Sequence, residues 1–135
     1  MNHWLVKSEP ETYSWSDLVR DKRTDWTGVR NYAARLHLRA MQVGDAVFVY
    51  HSGDDKSVVG IAKVTKAAFP DTTADEAGWV AVELAAVSPF QQPVPLAQIK
   101  ADAALKGMTF VRQSRLSVSP VTPAEFSRLR KLGGA

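Results

Sequence analysis

Three apolar runs, 46–51 (Ala-Val-Phe-Val-Tyr-His), 57–66 and 79–87 (Trp-Val-Ala-Val-Glu-Leu-Ala-Ala-Val), follow one another with no helical pattern between them. Strands joined without a crossover helix pair antiparallel, because a parallel return needs a long connection that is usually helical. Ser52-Gly53-Asp54-Asp55 supplies the turn for a hairpin between the first two runs. This succession excludes a doubly wound sheet. The glycines agree, since those at 28, 44, 53, 60, 78 and 107 fall into neither a G-x-G-x-x-G nor a P-loop spacing.

Around this meander the chain alternates short strands and capped helices. Residues 3–7 predict an opening strand that stops at Ser8-Glu9-Pro10, where proline has no N–H for a ladder. Ser14, with Asp17 three positions on, caps a helix over Trp15–Lys22. Asn31 caps a second over Tyr32–Met41, ended by the Gly44-Asp45 turn. Pro95–Ala101 reads as a helical turn and Ser114–Val118 as a last strand. Thr122-Pro123-Ala124-Glu125 joins a capping box to a proline at the first helical position, and Gly133 ends that helix. With about 5–6 strands in 135 residues, the expected fold is α+β. It is a small barrel or strongly bent sheet of mixed strands with helices at its rim, one domain over 1–135.

Composition narrows the function classes. Zero cysteines exclude disulfides, thiol catalysis and Zn–Cys or iron–sulfur sites. No apolar run reaches the roughly 18–20 residues of a membrane span, and the first nine residues lack a secretory pattern. A soluble, cytoplasmic, monomeric protein with no membrane partner is expected. Charge is uneven, being +1 over residues 1–45, −3 over 46–99 and +5 over 100–135. A basic terminal third attracts phosphate or another anion. His3, His37 and His51 match no metal-binding spacing, and no G-x-S-x-G elbow is present. The expectation is a protein without metal, cofactor or catalytic residues.

What remains is a concentration of aromatic, amide and guanidinium groups. Three of four tryptophans (Trp4, Trp15, Trp26) and two of three tyrosines (Tyr13, Tyr32) lie within the first 32 residues. Trp26-Thr27-Gly28-Val29-Arg30-Asn31-Tyr32, read as a loop between helices, suits a pocket that stacks a flat ring and hydrogen-bonds its edge. The alternative stands beside it: Trp26 caps the core and Asn31 merely caps a helix. Trp4 and Trp15 read as core residues. His51, at a strand end, either touches a ligand or makes a strand-end hydrogen bond. Arg112-Gln113-Ser114-Arg115-Leu116-Ser117 either clamps phosphate or holds structural salt bridges.

Five blocks carry a family resemblance. They are 4–10 (Trp-Leu-Val-Lys-Ser-Glu-Pro), Trp26-x-Gly28-Val29-Arg30-Asn31-Tyr32, Tyr50-His51-Ser52, Val59-Gly60-Ile61-Ala62 and 111–117 (Val-Arg-Gln-Ser-Arg-Leu-Ser). In this order, and spanning nearly the whole chain, they resemble the signature blocks of EVE-domain proteins. The resemblance implies a PUA-like bent barrel, similar to YTH and ASCH domains. It implies binding of RNA or DNA through a pocket for a modified cytosine or adenine, in a single strand or flipped out. Carried over by residue, Trp26 opens an aromatic wall, and Ser8 and Glu9 meet the base edge. Asn31, Tyr50 and His51 line the rest, with Trp79 as a further cage aromatic. Lys7, Arg30, Arg112, Gln113, Ser114 and Arg115 meet phosphate or brace the pocket. The odd separation of Arg112 and Arg115 adds an expectation of its own: one of these two meets phosphate and the other is held by a carboxylate such as Glu9. Two other readings remain. One is a nucleoside-directed hydrolase using Glu9 and His51; the other is a binder of small anions or metabolites.

Overall fold

The computed structural model describes residues 1–135. Its elements are β1 (His3–Ser8), α1 (Trp15–Asp21), β2 (Arg23–Trp26), α2 (Tyr32–Ala40), β3 (Ala46–His51) and β4 (Ser57–Pro70). They continue as β5 (Val80–Pro95), α3 (Leu96–Ala101), α4 (Thr109–Arg112), β6 (Val118–Val121) and α5 (Pro123–Gly133). All six strands form one mixed sheet in the order β2-β5-β4-β3-β1-β6.

The β3-β4-β5 meander is antiparallel throughout, as its helix-free succession requires. β1 lies parallel to β3, with His3 opposite Ala46 and Ser8 opposite His51. The segment between them, carrying α1, β2 and α2, is the long crossover such a pair needs. The sheet does not close into a hydrogen-bonded barrel, because β2 and β6 each have a partner on one side only. Bending replaces closure: the β4–β5 ladder shifts register at four places between Val58 and Phe69, and such bulges turn long strands.

Strand alternation divides the core in two. Trp4 and Val6 of β1 join Val47 and Val49 of β3 on one face, covered by Leu18 of α1 and Leu38 of α2. Leu5, Phe48 and Tyr50 point to the other face, covered by Ile99, Phe110 and Leu129. A fully buried Leu or Phe contributes about 1.5–3 kcal/mol, so each face is stable enough to fix its helices.

The caps form as expected. Ser14 and Asp17 bond reciprocally, as do Thr122 and Glu125, and the Asn31 side chain accepts from Ala34 N. Several elements differ from expectation: β4 and β5 run on to Pro70 and Pro95 instead of stopping at 66 and 87, and α4 has no counterpart in the expected order. Residues 23–26 form a strand rather than part of a loop; the last strand is 118–121, not 114–118; and α5 runs through Gly133, with Gly134 in the left-handed cap.

Gly60 is where the first face comes closest to a backbone. A Cβ there would lie 2.7 Å from the Trp15 indole. Trp15 cannot easily retreat, since its ring is buried and its backbone N–H is fixed by donation to His51 Nε2 at 3.0 Å. Gly60→Ala is therefore expected to cost about 1–3 kcal/mol by overpacking. Thermal unfolding followed by circular dichroism checks this; an unchanged midpoint would mean that Trp15 repacks freely.

Candidate nucleic-acid interface

A cleft of about 730 Å³ opens where the end of β1, the turn after it, β2 and the loop 27–31 meet. That volume lies in the range of small-molecule sites, roughly 300–1,000 Å³. Of the residues expected in the site, Lys7, Ser8, Glu9, Trp26, Arg30 and Asn31 line it.

Each is placed by its own local structure. Trp26 ends β2, where pairing with Val82 of β5 sets it against the core, only 8% exposed. Its indole meets the Tyr13 ring edge to face, at 6.1 Å between centroids and 87°. Tyr13 in turn donates to Asp21 Oδ2 at 2.8 Å, and burial holds its phenol above the usual range. Ser8 Oγ donates to Tyr13 O at 2.6 Å, while Tyr13 N and Thr12 N both donate to Glu9 O. The Glu9–Tyr13 turn is thereby closed on the end of β1. The Glu9 side chain stays exposed and pairs with no arginine.

The loop 27–31 is held from beneath by Asp71, a residue the sequence reading passed over. Its side chain is fully buried beside Arg30, which is 39% exposed. Oδ2 accepts from Gly28 N and from Arg30 Nη1, both at 2.9 Å. Oδ1 accepts from Thr73 N at 2.8 Å and Thr73 Oγ1 at 2.6 Å. Burial alone would raise the Asp71 pKa, but the Thr73, Gly28 and Arg30 donors outweigh it and hold the carboxyl well below the usual range. Gly28 sits at φ +84°, a left-handed conformation that lets its N–H meet the carboxylate. Asn31 caps α2 through its side-chain oxygen and also lines the cleft.

Arg112, Gln113, Ser114 and Arg115 line a shallower recess of about 340 Å³ that shares Asn31 with the cleft. Lys7 Nζ donates to Ser114 O at 2.8 Å and ties this segment to β1; burial holds its ammonium pKa below the usual lysine range. Arg112 Nε donates to Gly107 O at 2.9 Å, and neither Arg112 nor Arg115 meets a carboxylate. The expected carboxylate brace on one of these two arginines is therefore not formed; within the cleft it is Arg30 that pairs with a carboxylate, and the partner is Asp71, not Glu9.

Three expected residues lie elsewhere. Tyr50 points to the opposite face of the sheet, its ring 5.2 Å from Phe110, because strand alternation carries it there. His51 is 8% exposed, accepting from Trp15 N through Nε2 and facing Asp55 at 3.1 Å through Nδ1. A neutral ring with its proton on Nδ1 satisfies both contacts, which is the strand-end role. Trp79 lies outside the cleft, its ring tilted 35° against that of Tyr32 at 5.2 Å, with Arg35 4.7 Å from it. Thr24, Asp25 and Tyr13 line the cleft instead. Tyr13 stood in the aromatic-rich first 32 residues, whereas nothing local marked Thr24 or Asp25. No group of three or more His, Asp or Glu side chains is arranged to hold a metal ion, and no helix is long and apolar enough to cross a membrane.

The architecture has close counterparts. The EVE domain family model matches residues 2–132. Human thymocyte nuclear protein 1 is 34% identical over 93% of this chain and 71% of its own length. A crystal structure of an Agrobacterium tumefaciens protein superposes with a TM-score of 0.95 at 43% identity, covering 99% of this chain and 94% of that one. The human THYN1 protein in complex with 5-methylcytosine-containing DNA superposes with a TM-score of 0.92 at 32% identity, covering 100% and 99%.

Proposed function

This chain belongs to the EVE domain family, and we propose that it is a non-catalytic module holding a modified base of nucleic acid in the cleft beside Trp26. The observation that carries this reading is the cleft itself: one indole wall, with Ser8, Glu9 and Asn31 at hand for a base edge, on a fold shared with a protein bound to 5-methylcytosine DNA. Methylated cytosine in DNA is the first candidate ligand for that reason. A base outside its stack suits the geometry, since extrusion costs only a few kcal/mol and least in a single strand. Trp26 serves as the stacking surface, and the hydrogen-bonding groups of the rim read the edge. Arg30, with Asp71 behind it, fixes the loop. Lys7, Arg112 and Arg115 take the backbone phosphates, being basic and free of carboxylate partners.

Binding to oligonucleotides carrying unmodified, methylated or hydroxymethylated cytosine, or methylated adenine, as DNA and as RNA, tests this. Tighter binding of one modified form without mass change is the expected result; a shortened or demodified product would make the protein an enzyme. Removing Arg112 or Arg115 should lower the magnitude of the salt slope by about one unit and weaken all sequences alike. If neither does, phosphate is held elsewhere and a metabolite pocket becomes the better reading.

A further inference from the structure

On the outer side of the loop 27–31, α2 begins with Tyr32 immediately after the Asn31 cap. Tyr32 is 67% exposed, yet its ring is not free. The Trp79 ring lies 5.2 Å away at 35°, and the Arg35 guanidinium lies 4.8 Å from the Tyr32 ring and 4.7 Å from that of Trp79. Residues three apart on a helix share a face, which is how Arg35 reaches the ring of Tyr32. Arg35 Nη1 and Arg39 Nη2 both donate to Gly78 O, at 3.2 and 2.9 Å, fastening the loop that carries Trp79 to α2. Arg30 lies 5.8 Å from the Trp79 ring and connects this cluster to the cleft.

The ion pairs of the molecule leave Arg35 and Arg39 out, so their charge is uncompensated by any carboxylate at contact distance. The result is a pre-positioned aromatic face beside the cleft mouth, set in unpaired positive charge. An exposed tyrosine held flat by a cation beneath it loses little freedom when a second flat ring covers it. Uncompensated arginines around it favour a polyanion over an apolar protein surface.

We propose that Tyr32, braced by Arg35 and Trp79, is a stacking platform for the base that flanks the one held in the cleft, with Arg35 and Arg39 facing the adjoining phosphates. This rests on the reading of the cleft given above and adds a second, sequence-tolerant contact to it. Every base has a π-face, so the platform contributes affinity but no discrimination between modified and unmodified strands.

The test uses short single-stranded DNAs with one 5-methylcytosine or one cytosine, and 2-aminopurine placed on either neighbouring position. The wild type should quench the probe on one flank. Tyr32→Phe should retain the quenching, and Tyr32→Ala should lose it. Tyr32→Ala should also raise Kd about 5- to 150-fold for methylated and unmethylated strands alike, the range that base–aromatic stacking gives. Its melting temperature should be unchanged, because the side chain is largely exposed. Full quenching and unchanged Kd in Tyr32→Ala would overturn the platform while leaving the cleft reading intact. If the wild type binds both strands equally and Tyr32→Ala still loses affinity and quenching, the platform stands and the cleft reading falls. If the wild type binds neither strand, both fall.

Discussion

Replacing Asp71 by asparagine is expected to lower stability by about 3 kcal/mol, although the substitution keeps the shape of the side chain. Removing one partner of a buried charge pair typically costs about 3–5 kcal/mol. The low end applies because Arg30 is partly exposed and solvent screens its share. One amide oxygen can serve Thr73 or the pair Gly28 and Arg30, but not both, so donor meets donor at the other end. The loss should also appear in binding, since the loop carrying Arg30 and Asn31 is released at Gly28.

The pH dependence follows from the same contacts. A carboxyl whose native pKa lies below its unfolded value, about 3.9, stabilises the fold above about pH 4 and ceases to do so as pH falls through the native value. Acid titration of the wild type should therefore lose stability from about pH 4 downward. The asparagine variant should be less stable at neutral pH but show a shallower acid slope. Some slope will persist through Asp45: burial alone would raise its pKa, but donors from Trp4, Gln42 and Asn2 hold it low. Parallel acid profiles would mean that Asp71 is not held ionised by its donors.

Trp26→Ala is expected to have the second large effect, and on folding as much as on binding. Deleting a buried tryptophan costs about 3–5 kcal/mol, enough to lower the melting temperature by on the order of 10–20 °C. Loss of binding in that variant would be uninformative by itself. Trp26→Phe keeps an aromatic ring against Tyr13 and the core, and separates the two roles. It should remain folded at ambient temperature and bind a modified oligonucleotide more weakly, with the modified form losing more than the unmodified. Equal losses for both forms in a folded Trp26→Phe protein would show that Trp26 supports the wall without reading the base.

The two capping boxes, the Asn31 cap and the antiparallel meander depend on neighbours within a few positions, and all were legible. β2 was not, because Arg-Thr-Asp-Trp buries only its last residue and is a strand solely by pairing with residues some sixty positions away. β6 lies at 118–121 although it contains Pro120, because on a sheet edge the missing N–H forfeits no ladder bond. The site shows the same division. The rim from Lys7 to Glu9 and the block from Trp26 to Asn31 carry their own local signals. Asp71 had no local signal to single it out: one of its oxygens makes a local turn with Thr73, and the other reaches back more than forty residues. Tyr50 and His51 sat in one matching block but part company in the fold: alternation turns Tyr50 to the opposite face of the sheet, while His51 is taken up by Trp15 N and Asp55.

The position of β1 has a kinetic consequence. It lies between β3 and β6, so the first strand made is the one whose second partner is made almost last, at residues 118–121. Loop closure over so much chain must precede the contacts that reward it, which slows the search for the native pairing. During synthesis β3, β4 and β5 can pair as they emerge, while one edge of β1 waits unpaired with Trp4, Leu5 and Val6 in it. The rim residues Lys7, Ser8 and Glu9 are settled only when that edge is filled, through Lys7 N to Ser117 O and the β1–β6 ladder. A chain shortened before residue 118 therefore keeps most of its sheet yet lacks a finished cleft. Competence to bind should appear as the final event of folding, after the meander has acquired its hydrogen-exchange protection.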